Sequence, residues 1–180
     1  MSGTVPPPGV CDIELRLHAG KTGGIPSWLS AVLQAGFGMY VPSGLSVNGL
    51  LCRELGIDPQ YVRERVTTVF VDGKCVDDME GSRLTAGSML ALSSSMPGLA
   101  GAAVRRGSPF GRFRGSVTHR GRGADADLPG GIIRVKLFNV LIAELGPAFL
   151  ARGIVVPRDE ALRILEFCGQ SSVTVRLADP

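Results

Sequence analysis

Histidine, aromatic residues and an excess of either charge are all scarce in this chain, and each scarcity narrows what it does. His18 and His119 are the only histidines, and neither has a Ser or Cys partner at a recognisable spacing, so no imidazole-based catalytic set can be assembled. The net charge of +3 is too small for the whole molecule to attract nucleic acid by its field alone. Cys11, Cys52, Cys75 and Cys168 are scattered, with no Cys-x-x-Cys and no histidine at ligand spacing, so reduced thiols are expected rather than a metal site or a disulfide framework. The longest apolar stretches, within Ile132–Val156, are interrupted by Arg134, Lys136, Glu144 and Arg152, which excludes a simple membrane-spanning helix. Met1–Gly9 has no basic segment leading into an apolar run, so no secretory leader is expected, and a cytoplasmic location follows.

What the chain does have is glycine and proline placed as punctuation between periodic segments. Val10–Leu17 alternates apolar and polar residues and predicts a half-buried first strand. Pro26 then opens a helix whose apolar side is Trp28, Leu29, Val32 and Leu33, with Gly36 as its stop. Gly38–Pro42 reads as a short strand. Ser46–Leu55 reads as a helix capped by Ser46, with Val47, Leu50, Leu51 and Leu55 on one face and Gly56 ending it. Val66–Val71 is the clearest strand, followed by the tight-turn pair Asp72-Gly73 and by Lys74-Cys75-Val76. A last strand of this half is expected at Met89–Leu92.

The run Val71-Asp72-Gly73-Lys74-Cys75-Val76, with Leu84-Thr85-Ala86-Gly87-Ser88-Met89-Leu90-Ala91-Leu92 after it, resembles the second half of the ThiS/MoaD family of small sulfur carriers. Gly44–Ile57 resembles that family's helix, and Ser88 stands where an acidic residue is usual. The resemblance covers roughly residues 11–101 and implies an α+β, ubiquitin-like β-grasp. In this chain the grasp would carry an inserted helix and a C-terminal helical extension ending in a strand. It also implies where the chemistry would lie, on the terminal carboxylate of a free Gly-Gly tail. Here the matching stretch is Pro97-Gly98-Leu99-Ala100-Gly101-Ala102, neither a diglycine nor a terminus, so the activity does not carry over.

The implied organisation is a flexible N-terminus (1–9), a grasp domain (10–104), an Arg/Gly-rich linker (105–131) and the extension (132–180). The linker holds Arg105, Arg106, Arg112, Arg114, Arg120 and Arg122 among glycines and phenylalanines. This composition suits phosphate contacts with base stacking, or a solvated connector whose arginines pair with acids. Gly130-Gly131 is a true diglycine, which cleavage after Gly131 would expose as a processed tail, and is otherwise a hinge. Beyond it, Ile132–Leu145 is expected to be a buried helix broken by Gly146-Pro147. Pro157 should begin a further helix with Asp159 and Glu160 in its first turn, and Ser172–Leu177 a terminal strand that joins an edge of the grasp sheet in the same chain or in a neighbour's.

Other motifs are weak. Gly20-Lys21-Thr22 ends like a phosphate-binding loop, but Leu15 occupies the place of its first glycine. Asp77, Asp78 and Glu80 lack the alternating oxygen spacing of a calcium loop, and Cys75 has no activating neighbour. No catalytic, cofactor-binding or metal-binding residue is assigned. The expected function is a noncatalytic protein-interaction or adaptor module that self-associates on a degenerate sulfur-carrier-like scaffold. The alternatives are a carrier activated by cleavage after Gly131 and an RNA- or phosphate-binding accessory protein using the Arg-rich linker.

Overall fold

The computed structural model describes residues 13–17, 25, 27–95, 98–109, 130–168 and 173–177. Met1–Gly9, His18, the 20–24 turn with its Gly20-Lys21-Thr22 motif, Pro26, and 110–129 with Arg112, Arg114, His119, Arg120 and Arg122 lie outside the described residues. In chain order the elements begin with β1 (Ile13–Leu17), α1 (Ser27–Ala35), β2 (Phe37–Val41), a π-helix (Gly49–Glu54), α2 (Pro59–Arg65), β3 (Thr68–Val71), β4 (Lys74–Cys75) and β5 (Met89–Ser93). They continue with α3 (Gly98–Val104), β6 (Gly131–Phe138), α4 (Leu141–Arg152), β7 (Ile154–Val156), α5 (Arg158–Cys168) and β8 (Val173–Leu177). The fold is mixed α+β.

The eight strands of the described residues form one sheet in the order β4-β3-β5-β6-β2-β7-β1-β8. Every pairing is antiparallel except β5 with β6, which run parallel with Met89 opposite Arg134 and Ser93 opposite Phe138. β1 and β2 both run antiparallel to β7, which lies between them, so β1-α1-β2 is a split β-α-β unit. By the same reasoning β6-α4-β7 is a second one, with β2 lying between its strands. The two units interleave.

Several local expectations hold for plain reasons. Ser46 Oγ accepts the Gly49 N–H, capping the helical turn as its sequence position predicts. That helix then widens into a six-residue π-helix. Asp58 caps α2 by accepting the N–H groups of Gln60 and Tyr61, with Pro59 in its first turn. Asp72 and Gly73 both have positive φ (51° and 76°), the conformation a two-residue hairpin turn requires. β8 joins an edge of the sheet in its own chain, beside β1.

The expected helix over Ile132–Leu145 is a correction. The first half of that run is β6, and a helix begins only at Leu141. Ile133, Val135 and Leu137 are fully buried while Arg134 is exposed and Lys136 half-buried, a period of two that Ile132 and Phe138 on the outer face disguise. Asn139, at φ 57°, makes the turn between them. Gly146-Pro147 does not break the second half either: α4 runs through Pro147. A Cβ at Gly146 would meet the side-chain ends of Ile25 and Leu33, which would have to shift to admit it.

One hydrophobic core spans the sheet. Phe37, Met39, Leu90, Leu92, Val135 and Leu137 point into it from the strands, and α1 and α4 cover them with Leu33, Leu141 and Phe149. The odd residues of β6 therefore face helices. The second face of the sheet carries Tyr40, Phe70, Ala91, Ile132 and Phe138, all half-buried, and the exposed Met89.

Candidate functional site

The stretch aligned with the carrier tail leaves the sheet where β5 ends, beside the end of its parallel neighbour β6. Ser93, Ser94 and Ser95 follow one another here, and Asn139 arrives from the end of β6. Its side-chain amide donates to Ser93 Oγ (3.1 Å) and to the Ser95 carbonyl (2.5 Å). Thr67 Oγ1 donates to the Ser94 carbonyl at 2.5 Å. These bonds fix the exit from the sheet, and the chain then turns into α3 rather than running on as an arm. Three of the seven residues of α3 are alanine, the strongest helix former.

Arg106 fastens the far end of α3. Its guanidinium donates to the carbonyls of Val62 (3.3 Å) and Arg63 (3.1 Å) and lies against the sulfur of Met79. Its own N–H bonds the Thr67 carbonyl at 2.8 Å. The Val62 carbonyl also accepts the Val66 N–H at the end of α2, and a cation beside these last-turn carbonyls suits the helix dipole. Burial lowers the guanidinium pKa, and the nearby Asp77 charge partly offsets this. Arg106 is thus a structural clamp.

Between α2, α3 and the ends of β3 and β5 lies an open cleft of about 450 Å³, lined by Glu64, Thr67, Thr68, Ser94, Ser95 and Arg105 among others. Arg105 is exposed at its rim. Thr68 Oγ1 is buried and has no hydrogen-bond partner among the described residues. Of the lining hydroxyls, Thr67 Oγ1 bonds the Ser94 carbonyl and so orders the chain where it leaves the sheet.

The other sequence candidates separate in space. Gly131 is the first residue of β6 and registers with Val41, while a Cβ on Gly130 would lie 2.8 Å from the Ser43 nitrogen and 2.9 Å from the Val41 oxygen. The diglycine is therefore built into the sheet. Asp78 accepts the N–H groups of Glu80 (3.0 Å) and Gly81 (2.9 Å), so it is spent on a turn, and Asp77 accepts from Gly107. Cys75 is buried. Cys52 is half-buried, with its thiol pKa raised first by burial and then by the charges of Glu80 and Asp58. Among the described residues no three His, Cys, Asp or Glu gather as a metal would require.

Sequence reasoning missed a polar latch between α2 and α4. Tyr61 donates to Glu144, and Arg65 reaches the other carboxylate oxygen at 2.5 Å. A second ion pair, Arg152 with Glu54 at 3.2 Å, ties α4 to the π-helix. Burial, then the Glu144 hydrogen bond and charge, push the Tyr61 hydroxyl up to about 12. Folding thus binds this proton more tightly than the unfolded chain does. The stabilisation is whole below the ordinary phenol value of ~10 and is lost as pH rises from there toward the folded value. Glu144 works in the opposite sense. The bonds from Arg65 and Tyr61 hold its carboxyl below the usual range, so its contribution is present above that range and lost as acid protonates it. The two tyrosines, Tyr40 and Tyr61, allow a direct check. Tyrosinate absorbance should show a late step that the Tyr61→Phe variant lacks. An unchanged late step in that variant would mean the latch is not made in solution.

No family model, curated protein or solved structure matches the chain.

Proposed function

We propose that this chain is a noncatalytic protein-interaction or adaptor module on a degenerate sulfur-carrier-like β-grasp, working as a homo-oligomer. The observation that carries this reading is the fate of the tail-like stretch. Gly98–Val104 is a helix held back on α2 through Arg106, whereas carrier chemistry needs a slim, free end. The grasp reading itself is supported by the contiguous β4-β3-β5 ladder, by the Asp72-Gly73 turn and by the helix that Ser46 caps. β1, which a compact grasp would use as its opening strand, lies far along the sheet instead, and β6 takes the place beside β5. What remains available is surface. The second sheet face offers Tyr40, Phe70, Ile132, Phe138, the exposed Met89 and Arg134, and aromatic residues, methionine and arginine are the types that protein interfaces favour.

Two measurements test the proposal separately. The intact mass of the protein from its native cells, under mild reduction, should show no species ending at Gly131; one carrying a modified terminus there would replace the adaptor reading with a processed carrier. Sedimentation equilibrium at micromolar concentration should show a species larger than the 18.9 kDa chain, and a monomer would remove the oligomer.

A further inference from the structure

We propose that the outer edge of β8 is the surface on which a second copy of this chain docks, the two β8 strands pairing antiparallel about Val175. This rests on the self-association proposed above and names its site. The two edges of the sheet are unlike. At one end, β4 has only two residues, bears the exposed Lys74 and sits between the Asp72-Gly73 turn and the acidic loop, an edge too short and too charged to template another strand. At the other end, β8 has five residues, Val-Thr-Val-Arg-Leu, of which Val173, Thr174 and Val175 are strong strand formers, with no Pro, Gly or Lys among them. Among the described residues it pairs on one side only, with β1. Its other side presents a row of backbone donors and acceptors, the usual anchor for strand addition.

The occupant follows from register and charge. Val175 and Leu177 register with Leu15 and Ile13, which in turn register with the buried Ile154 and Val156. Val173, Val175 and Leu177 are thus in register with Leu17, Leu15 and Ile13, apolar opposite apolar along the strand. A two-fold axis at Val175 sets Val173 opposite Leu177 of the second copy and Thr174 opposite its Arg176, so the apolar rows continue across the junction. All five residues engage. Centring one residue later would set Arg176 against itself, a like-charge contact that is unfavourable across strands. β8 is thus self-complementary in one register, as an interface between identical copies must be.

The test is sedimentation velocity on the full chain and on two variants of one position. Thr174→Arg places like charges opposite each other twice per dimer and should weaken association about tenfold. It also faces Arg16 within its own chain. Thr174→Glu, which meets Arg16 and the second copy's Arg176 with the opposite sign, should leave the dimer at least as tight as the parent. Val175→Cys supplies an independent readout, since the residue at the two-fold axis meets its own copy. Air oxidation should give a linked dimer that the parent chain, with its native cysteines, does not form. A parent dimer unmoved by Thr174→Arg, with no linkage through position 175, would overturn the β8 site while leaving self-association standing. A monomeric parent would overturn both.

Discussion

A chain shortened to end at Gly131 is expected to lose cooperative folding altogether. The cut removes all of β6 but Gly131, a strand in the middle of the sheet with five registered residues against β2 and five against β5. It also removes α4 from the core and β7 from between β2 and β1. Ile133, Val135, Leu137 and Phe149 are each fully buried, and burial of four such side chains is worth roughly 6–12 kcal/mol. A domain has in total about 5–15 kcal/mol. The fragment should therefore show neither a sigmoidal urea transition nor dispersed amide resonances. A cooperative transition would mean that the first half closes its sheet without β6. The same reasoning bears on cleavage after Gly131, because a protease acting on the folded molecule would have to reach the opening residue of a central strand.

Phe149→Ala should cost about 3–5 kcal/mol, the largest effect expected of a single substitution here. The ring is fully buried on α4 and meets Phe37 of β2 edge-on, with centroids 5.5 Å apart and planes at 72°. Truncation loses the transfer energy of the ring and leaves a hole between a helix and a strand that are each pinned elsewhere. α4 is held at its outer side by Glu144 and Arg152, and β2 is paired on both edges. Collapse into the hole is therefore restricted, and the cost should sit at the upper end. Urea unfolding checks the value. A double-mutant cycle with Phe37→Leu should add a coupling of about 0.5–1.5 kcal/mol for the edge-to-face contact. A cost under about 1 kcal/mol would mean that α4 does not rest on β2, since cavities of this size in a rigid core are never that cheap.

Elements that announce themselves within a few residues were legible in the sequence. The alternation of Val173, Val175 and Leu177, the Asp72-Gly73 turn and the acidic first turn after Pro157 each rest on local backbone preference or local charge, and the corresponding elements are present. β6 reads as helix in the sequence because apolar residues at 132 and 138 blur a period of two that Arg134 and Lys136 otherwise mark. Its neighbours were beyond reach for a different reason. Nothing local says that a strand at 131–138 inserts between strands at 37–41 and 89–93, for that choice is made by the whole core. The site divides the same way. The departure from a diglycine tail was plain at Pro97–Ala102. The Arg106 clamp was not, because a guanidinium bonding two backbone carbonyls some 43 and 44 residues away depends on no particular side chain at either. The Tyr61–Glu144 latch spans 83 residues and was equally silent.

The interleaving of the two β-α-β units sets a timetable for the nascent chain. β1 leaves the ribosome before the other described strands, yet both of its neighbours, β7 and β8, lie beyond residue 153. β2 likewise waits for β6 and β7. Among the early strands only the β4-β3-β5 ladder can close during elongation. Until residues beyond 131 emerge, β1 and β2 are exposed apolar strands without partners, the state in which chains most readily associate wrongly. The molecule's yield in cells should accordingly follow its rate of translation and the supply of chaperones that shield exposed strands, more than the strength of the finished core.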